Sequence, residues 1–152
     1  MLNKKNYKLL KFLGEGGYGR VYLYYDNIGQ RNVAIKKLRI RNEDELNLVK
    51  NEIDLLKELF HPNIINYYGY FYDNESFQAN IVMECAEDGN LNELIERKAE
   101  KFEKFKEQKI LEYFTQICEG LNAIQQAKII YRDLNPCIII NLWNPFKDIT
   151  IK

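Results

Sequence analysis

The sequence predicts an α+β fold: about five antiparallel strands with one helix inserted among them, followed by a helical portion. Three features predict it. Short runs of β-branched and aromatic residues recur between turn-forming residues through the first half of the chain. The apolar spacing changes to steps of three and four over residues 43–59. A second long stretch with that helical period covers 110–126.

Residues 7–13 alternate apolar and charged side chains and end at Gly14. Residues 21–25 and 33–38 are two further apolar runs, joined by the turn-rich Asp26-Asn27-Ile28-Gly29-Gln30. Three strands linked by short turns follow from this. Leu46, Val49, Ile53 and Leu56 then share one helix face. Asn42 stands three residues before Glu45, the spacing of a capping pair, and Pro62 closes the helical region. Residues 64–71 and 79–85 read as two more strands around the turn Asp73-Asn74-Glu75-Ser76.

Gly89 and Asn90 lead into a short helix over 91–97. The charged stretch 98–109 holds few apolar residues beyond Phe102 and Phe105, which predicts a helix end and a solvated loop. The helix at 110–126 carries Ile110, Phe114, Ile117, Leu121 and Ile124 on one side. At the end, 138–140 and 149–151 flank Asn144-Pro145 as the arms of a hairpin.

Composition removes several function classes. Lys plus Arg and Asp plus Glu each total 22, so the 152-residue chain has no net charge to grip nucleic acid or an anionic membrane. No apolar run approaches the roughly 20 residues that span a bilayer. No apolar segment follows the first lysines, so no secretory signal is expected. Cys85, Cys118 and Cys137 lie far apart, which favours free thiols and an intracellular, cytoplasmic setting. His61 is the single histidine, so a zinc cluster is excluded and no metal-ligand set is expected; His61 reads as a structural residue of its Pro-containing loop. Cys85 reads as a small apolar filler, and the 11 tyrosines as half-buried strand residues.

The chemistry-bearing pattern starts at Gly14-Glu15-Gly16-Gly17-Tyr18-Gly19-Arg20-Val21. A hairpin without bulky side chains lets backbone N–H groups approach phosphates. A strand follows these glycines, so a dinucleotide fold, which needs a helix there, does not fit. Val33-Ala34-Ile35-Lys36 comes next. By itself Lys36 reads as an exposed strand lysine; after the glycine hairpin, the functional reading overtakes it. A lysine turned inward needs a counter-charge, for which Glu52 is the candidate.

Glycine hairpin, Val-Ala-Ile-Lys, a helix with a central Glu, His61-Pro62-Asn63-Ile64-Ile65, Met83-Glu84 and Tyr131-Arg132-Asp133-Leu134-Asn135-Pro136 occur in the order of the eukaryotic protein kinases, and the chain resembles that family. Leu-Asn-Pro is closer to the Ser/Thr kinases than to the Tyr kinases. The resemblance implies part of one kinase domain over 7–152, with a complete small lobe at 7–86 and the first helical part of the large lobe, including the catalytic-loop region, at 87–152.

The resemblance also implies roles. Gly14, Gly16 and Gly19 would cover the phosphates of ATP. Lys36 would contact the α/β-phosphates and be held by Glu52. Val21 and Ala34 would pack on the adenine, with Met83 at the back of the pocket and the backbone of 84–86 (Glu84 to Ala86) bonding its edge. Asn90 would reach the ribose, Leu91 and Ile140 would supply lower apolar contacts, and Asp133 would be the catalytic Asp that orients the substrate hydroxyl.

Four departures bear on activity. Tyr131 replaces the family's His, at a position that packs. Asn135 replaces the Lys aimed at the transferred phosphate. Ile138 replaces the Asn that binds a second Mg²⁺, and its side chain offers a hard cation no oxygen. The sequence stops at Lys152, before an Asp-Phe-Gly motif. As written, ATP and Mg²⁺ are therefore the implied cofactors, with Mg²⁺ use weak or absent and transfer to protein Ser/Thr lost or impaired. The alternative is a non-catalytic pseudokinase or interaction module. The 110–126 helix is expected to expose an apolar face that the rest of a large lobe, or another protein, would cover, so the isolated chain is expected to be poorly soluble or partner-dependent.

Overall fold

In the computed structural model the described residues are 2–16, 19–85, 89–129, 134, 136, 139–140 and 150–151, with 16, 52, 139, 140, 150 and 151 described by backbone alone. They include a five-stranded antiparallel sheet of β1 (Tyr7–Gly16), β2 (Gly19–Asp26), β3 (Arg31–Arg39), β4 (Tyr67–Asp73) and β5 (Gln78–Glu84). The spatial order is β1-β2-β3-β5-β4. The helices are α1 (Glu43–Glu58), α2 (Leu91–Glu100) and α3 (Glu107–Gln126), and β6 (Ile139–Ile140) pairs antiparallel with β7 (Thr150–Ile151). The α+β architecture agrees with the sequence pattern, and β6 and β7 pair as the two expected arms do, while the turn expected around Asn144-Pro145 lies outside the described residues.

The chain divides into two compact units, one of residues 1–58 and 66–85, the other of 59–65 and 86–152. In the first unit, antiparallel register decides which side chains share a face, because directly opposed residues point the same way. Tyr22, Ile35 and Val82 form one transverse row, and Tyr24 and Val33 lie in the next. These residues, with Tyr7, make an apolar cluster in which Val33, Ile35 and Val82 are almost fully buried. Tyr7 stacks on Phe71 with ring centroids 5.6 Å apart, so β-branched side chains are roofed by aromatic ones.

Helix α1 forms as its spacing predicts. Ile53 is 2% exposed, and Leu46, Val49 and Leu56 are half-buried. Asn42 Oδ1 accepts from the Glu45 N–H at 2.9 Å, satisfying one of the helix's orphan donors. The Glu45 carboxylate reaches past Asn42 to the Arg41 N–H at 2.8 Å. Replacing Ile53 with Ala should cost about 2–5 kcal/mol, because the cavity left under a packed helix closes only in part. A urea midpoint unchanged from wild type would refute this.

Several boundaries differ from the sequence expectations. The fourth strand begins at Tyr67, three residues later than expected. Ile64 and Ile65 are buried at 4% and 3%, but in the second unit. Their β-branched character reflects burial there. The Ile64 N–H bonds the His61 carbonyl at 3.0 Å, and His61 Nδ1 accepts from the Asn63 N–H at 3.1 Å. Strand β1 runs on to Gly16 because it pairs with β2 as far as Gly16↔Gly19. The α2 helix extends to Glu100, and α3 starts at Glu107, so part of the charged 98–109 stretch is helical.

In the second unit Ile64 and Ile124 are buried together, with Leu59, Ile117 and Leu121 against them. The other end of the α3 stripe is uncovered: Ile110, Leu111 and Phe114 are 52%, 51% and 64% exposed. None of the described helices is long and apolar enough to cross a membrane.

Electrostatics add one local feature. The Lys4 ammonium and the Ser76 hydroxyl hold the Asp73 carboxyl down at about 2. A depressed carboxyl stabilises the fold above its unfolded value and loses that contribution as pH falls through its folded value. The stability gap between wild type and Lys4→Ala should therefore be present at pH 7 and shrink as pH falls from about 4 towards 2. Melting curves across that range would show it, and a gap independent of pH would contradict it.

Candidate functional site

The face of the sheet opposite the aromatic cluster carries four of the sequence-derived candidates, Val21, Ala34, Lys36 and Met83. Gly14 pairs with Val21, Val21 with Lys36, and Lys36 with Ile81. Leu23, Ala34 and Met83 form the neighbouring row. Antiparallel pairing thus puts Val21, Ala34, Lys36 and Met83 side by side on one surface. Val21, Ala34 and Met83 are buried at 8%, 5% and 4%, and Lys36 is half-buried.

The same register separates two adjacent lysines. Lys37 projects to the other face, where its Nζ lies 5.1 Å from the Tyr22 ring centroid and 5.4 Å from that of Tyr24. Those cation–π contacts give Lys37 a role in the roof of the sheet. Lys36 shares its surface with Val21 and Ala34.

At the β1–β2 hairpin the glycines are not equivalent. A Cβ at Gly14 would meet nothing within 4 Å. Gly19 has φ +145°, and a Cβ there would run into the Lys37 carbonyl and a Leu38 methyl. Gly19 is needed by the sheet itself, whereas Gly14 is bare without a packing reason. Across the hairpin, Arg20 and Glu15 pair at 3.1 Å on the solvent side.

The β5 exit is held by Asn66. The Glu84 N–H donates to the Asn66 carbonyl at 2.8 Å, and the Glu84 carboxylate accepts from Asn66 Nδ2 at 2.7 Å. Only the Glu84 carbonyl could then serve a ligand from that residue's backbone. In the second unit, Asn90 caps α2: its Oδ1 accepts from the Glu93 N–H at 2.9 Å, and Glu93 reaches back to the Asn90 N–H. This capping box accounts for an Asn at position 90 on folding grounds. Leu91 is the first residue of that helix and is half-buried.

Ala86, Tyr131, Asp133, Asn135 and Ile138 lie outside the described residues, as do the side chains of Glu52 and Ile140, and Gly16 is described only as part of the β1 backbone. Ile81, fully buried directly opposite Lys36, was not among the sequence candidates. The alternation of Ile81 with Met83 carried that signal.

The protein kinase domain profile matches residues 7–143. Similar proteins include serine/threonine-protein kinase Nek5 of Mus musculus, 37% identical over 129 residues, which span 85% of this chain and 20% of that protein. Serine/threonine-protein kinase Nek10 of Homo sapiens is 35% identical over 86% of this chain and 12% of its own length. MAP3K epsilon protein kinase 2 of Arabidopsis thaliana is 36% identical over 88% and 10%. The chain thus spans a fifth or less of these relatives. A profile match over most of the chain, on a five-stranded sheet with its inserted helix, places the protein in the eukaryotic protein kinase family.

Proposed function

We propose that this kinase fragment, with 7–86 as its small lobe and 87–152 as the start of its large lobe, binds ATP on the Val21–Ala34–Lys36–Met83 surface. The observation that carries the reading is the register, which sets an apolar surface and one lysine side by side next to a hairpin whose Gly14 is open. Those residues fit a nucleoside triphosphate: a planar base needs apolar walls, and phosphates need N–H groups and a cation. Lys36 would hold the α/β-phosphates, oriented by Glu52, with Gly16 and Gly19 completing the phosphate cover and the 84–86 backbone, including Ala86, meeting the base edge. Asn90, Leu91 and Ile140 remain candidates from the resemblance.

Phosphotransfer to protein Ser/Thr is impaired on this reading. Asp133 could orient a substrate hydroxyl, but Asn135 brings no charge to the transferred phosphoryl group. Ile138 presents only hydrocarbon where the family places a Mg²⁺ ligand. Transfer chemistry rests on positioning and on neutralising charge, so both replacements act on the rate. A second reading, a non-catalytic interaction module, is favoured by Ile138 together with exposed Ile110, Leu111 and Phe114. A protein partner would cover that stripe.

Calorimetric titration with Mg-ATP tests the nucleotide site. Lys36→Ala should weaken binding by about tenfold or more, as expected for losing one charge-assisted contact to phosphate. No ATP-dependent heat in wild type, or heat untouched by the substitution, would sink it. Transfer of label from ATP to a generic protein should be weak and should vanish in Asp133→Ala.

A further inference from the structure

Residues 2–6 precede the stretch matched by the kinase profile, which starts at residue 7. They nevertheless tie the two edges of the sheet together. β1 and β4 are the edge strands. The segment leaves β1 through a single turn at Lys4–Asn6, where the Asn6 carbonyl accepts from the Asn27 N–H at 2.9 Å. It then makes two contacts with β4. Leu2 Cδ1 fills the space where Gly69 lacks a Cβ, and Leu2 packs on the aromatic cluster. Lys4 Nζ bonds Asp73 Oδ2 at 2.8 Å, on a carboxylate whose side chain is only 10% exposed.

Each receiving group is also held by contacts within its own strand and turn. Gly69 has φ +149° at a register irregularity of β4, opposite Val82. Asp73 Oδ1 accepts from the Glu75 N–H at 3.2 Å, and the Ser76 hydroxyl also bonds its carboxylate. A notch for one aliphatic side chain thus lies four residues before a positioned acid on the same strand. Leu2 and Lys4, two residues apart, match that pair.

We infer that residues 2–6 form a latch that docks in cis on the Gly69 notch and Asp73, and that its closure holds the β4–β5 edge onto the sheet. The occupant is this chain's own Leu2-Asn3-Lys4 segment. An open latch would withdraw Leu2 from the buried cluster of Tyr7, Tyr24, Val33, Ile35 and Val82 and loosen β4 against β5.

Amide hydrogen exchange on the full chain tests this. Leu2→Ala should speed exchange in β4 and β5 by about tenfold while α3 amides keep wild-type rates, because local opening is governed by local contacts. Lys4→Ala and Asp73→Asn should act on the same amides and be non-additive when combined. In a chain lacking residues 1–6, a synthetic peptide of those residues should restore protection, and the same peptide with Leu2→Ala should not. Exchange unchanged in Leu2→Ala, additive effects of Lys4→Ala and Asp73→Asn, or no rescue by peptide in a folded truncated chain would each overturn the latch. If the truncated chain does not fold, the Leu2→Ala pattern and the Lys4–Asp73 cycle decide.

Discussion

Ile35→Ala is expected to remove about 2–5 kcal/mol from the stability of the first unit, among the largest single-site losses in this chain. Ile35 is 1% exposed on the central strand, directly opposite Tyr22 and Val82. Its side chain fills space bounded by strands on both flanks and by the aromatic roof above. Hydrogen-bonded strands cannot slide inward to fill a void, so most of the cavity survives truncation. Ile110→Ala removes the same groups from a side chain 52% exposed, and its cost should stay within about 0.5 kcal/mol. Urea unfolding followed by far-UV circular dichroism separates the two. Equal midpoints for both variants would mean that the cluster over Ile35 does not hold the sheet.

What could be read in advance follows the range of the forces involved. Val33-Ala34-Ile35-Lys36 was legible as part of a strand, and because successive strand side chains point to opposite faces, Ile35 and Lys36 fall on different faces of the sheet. The α1 face was equally legible, because Leu46, Val49, Ile53 and Leu56 repeat at the helical step and Asn42 marks the start. The α3 start was not legible: its N-cap, Lys106, makes no side-chain capping bond and so carries no residue signature. Ile64 and Ile65 misled because β-branching signals a buried position as readily as a strand. Leu2 in the Gly69 notch joins residues far apart in sequence, and no local pattern encodes such a contact. Asn90 shows the converse, since its spacing to Glu93 spells a capping box as plainly as the family position spells a ribose contact.

The glycine hairpin yields a paired prediction, because fold and ligand make different demands on its two ends. Gly19→Ala places a Cβ against the Lys37 carbonyl at φ +145°, so β2 must pull away from β3 or twist. Such strain should cost about 1–3 kcal/mol, whatever the nucleotide does. Gly14 has open space above it, and its backbone lies outside the left-handed region, so Ala fits there without strain. Gly14→Ala should therefore melt within about 1 kcal/mol of wild type, with any gain coming from a less flexible unfolded chain. If ATP phosphates lie over this hairpin, the added methyl takes the space the N–H groups need. Mg-ATP affinity should then fall about tenfold, roughly 1.4 kcal/mol, in a protein that is otherwise sound. Binding equal to wild type in Gly14→Ala would remove the phosphates from this position. A loss of stability matching Gly19→Ala would instead show that Gly14, too, serves the sheet. Because one substitution reads the fold and the other the ligand, the pair separates a glycine kept for its backbone from one kept for what approaches it.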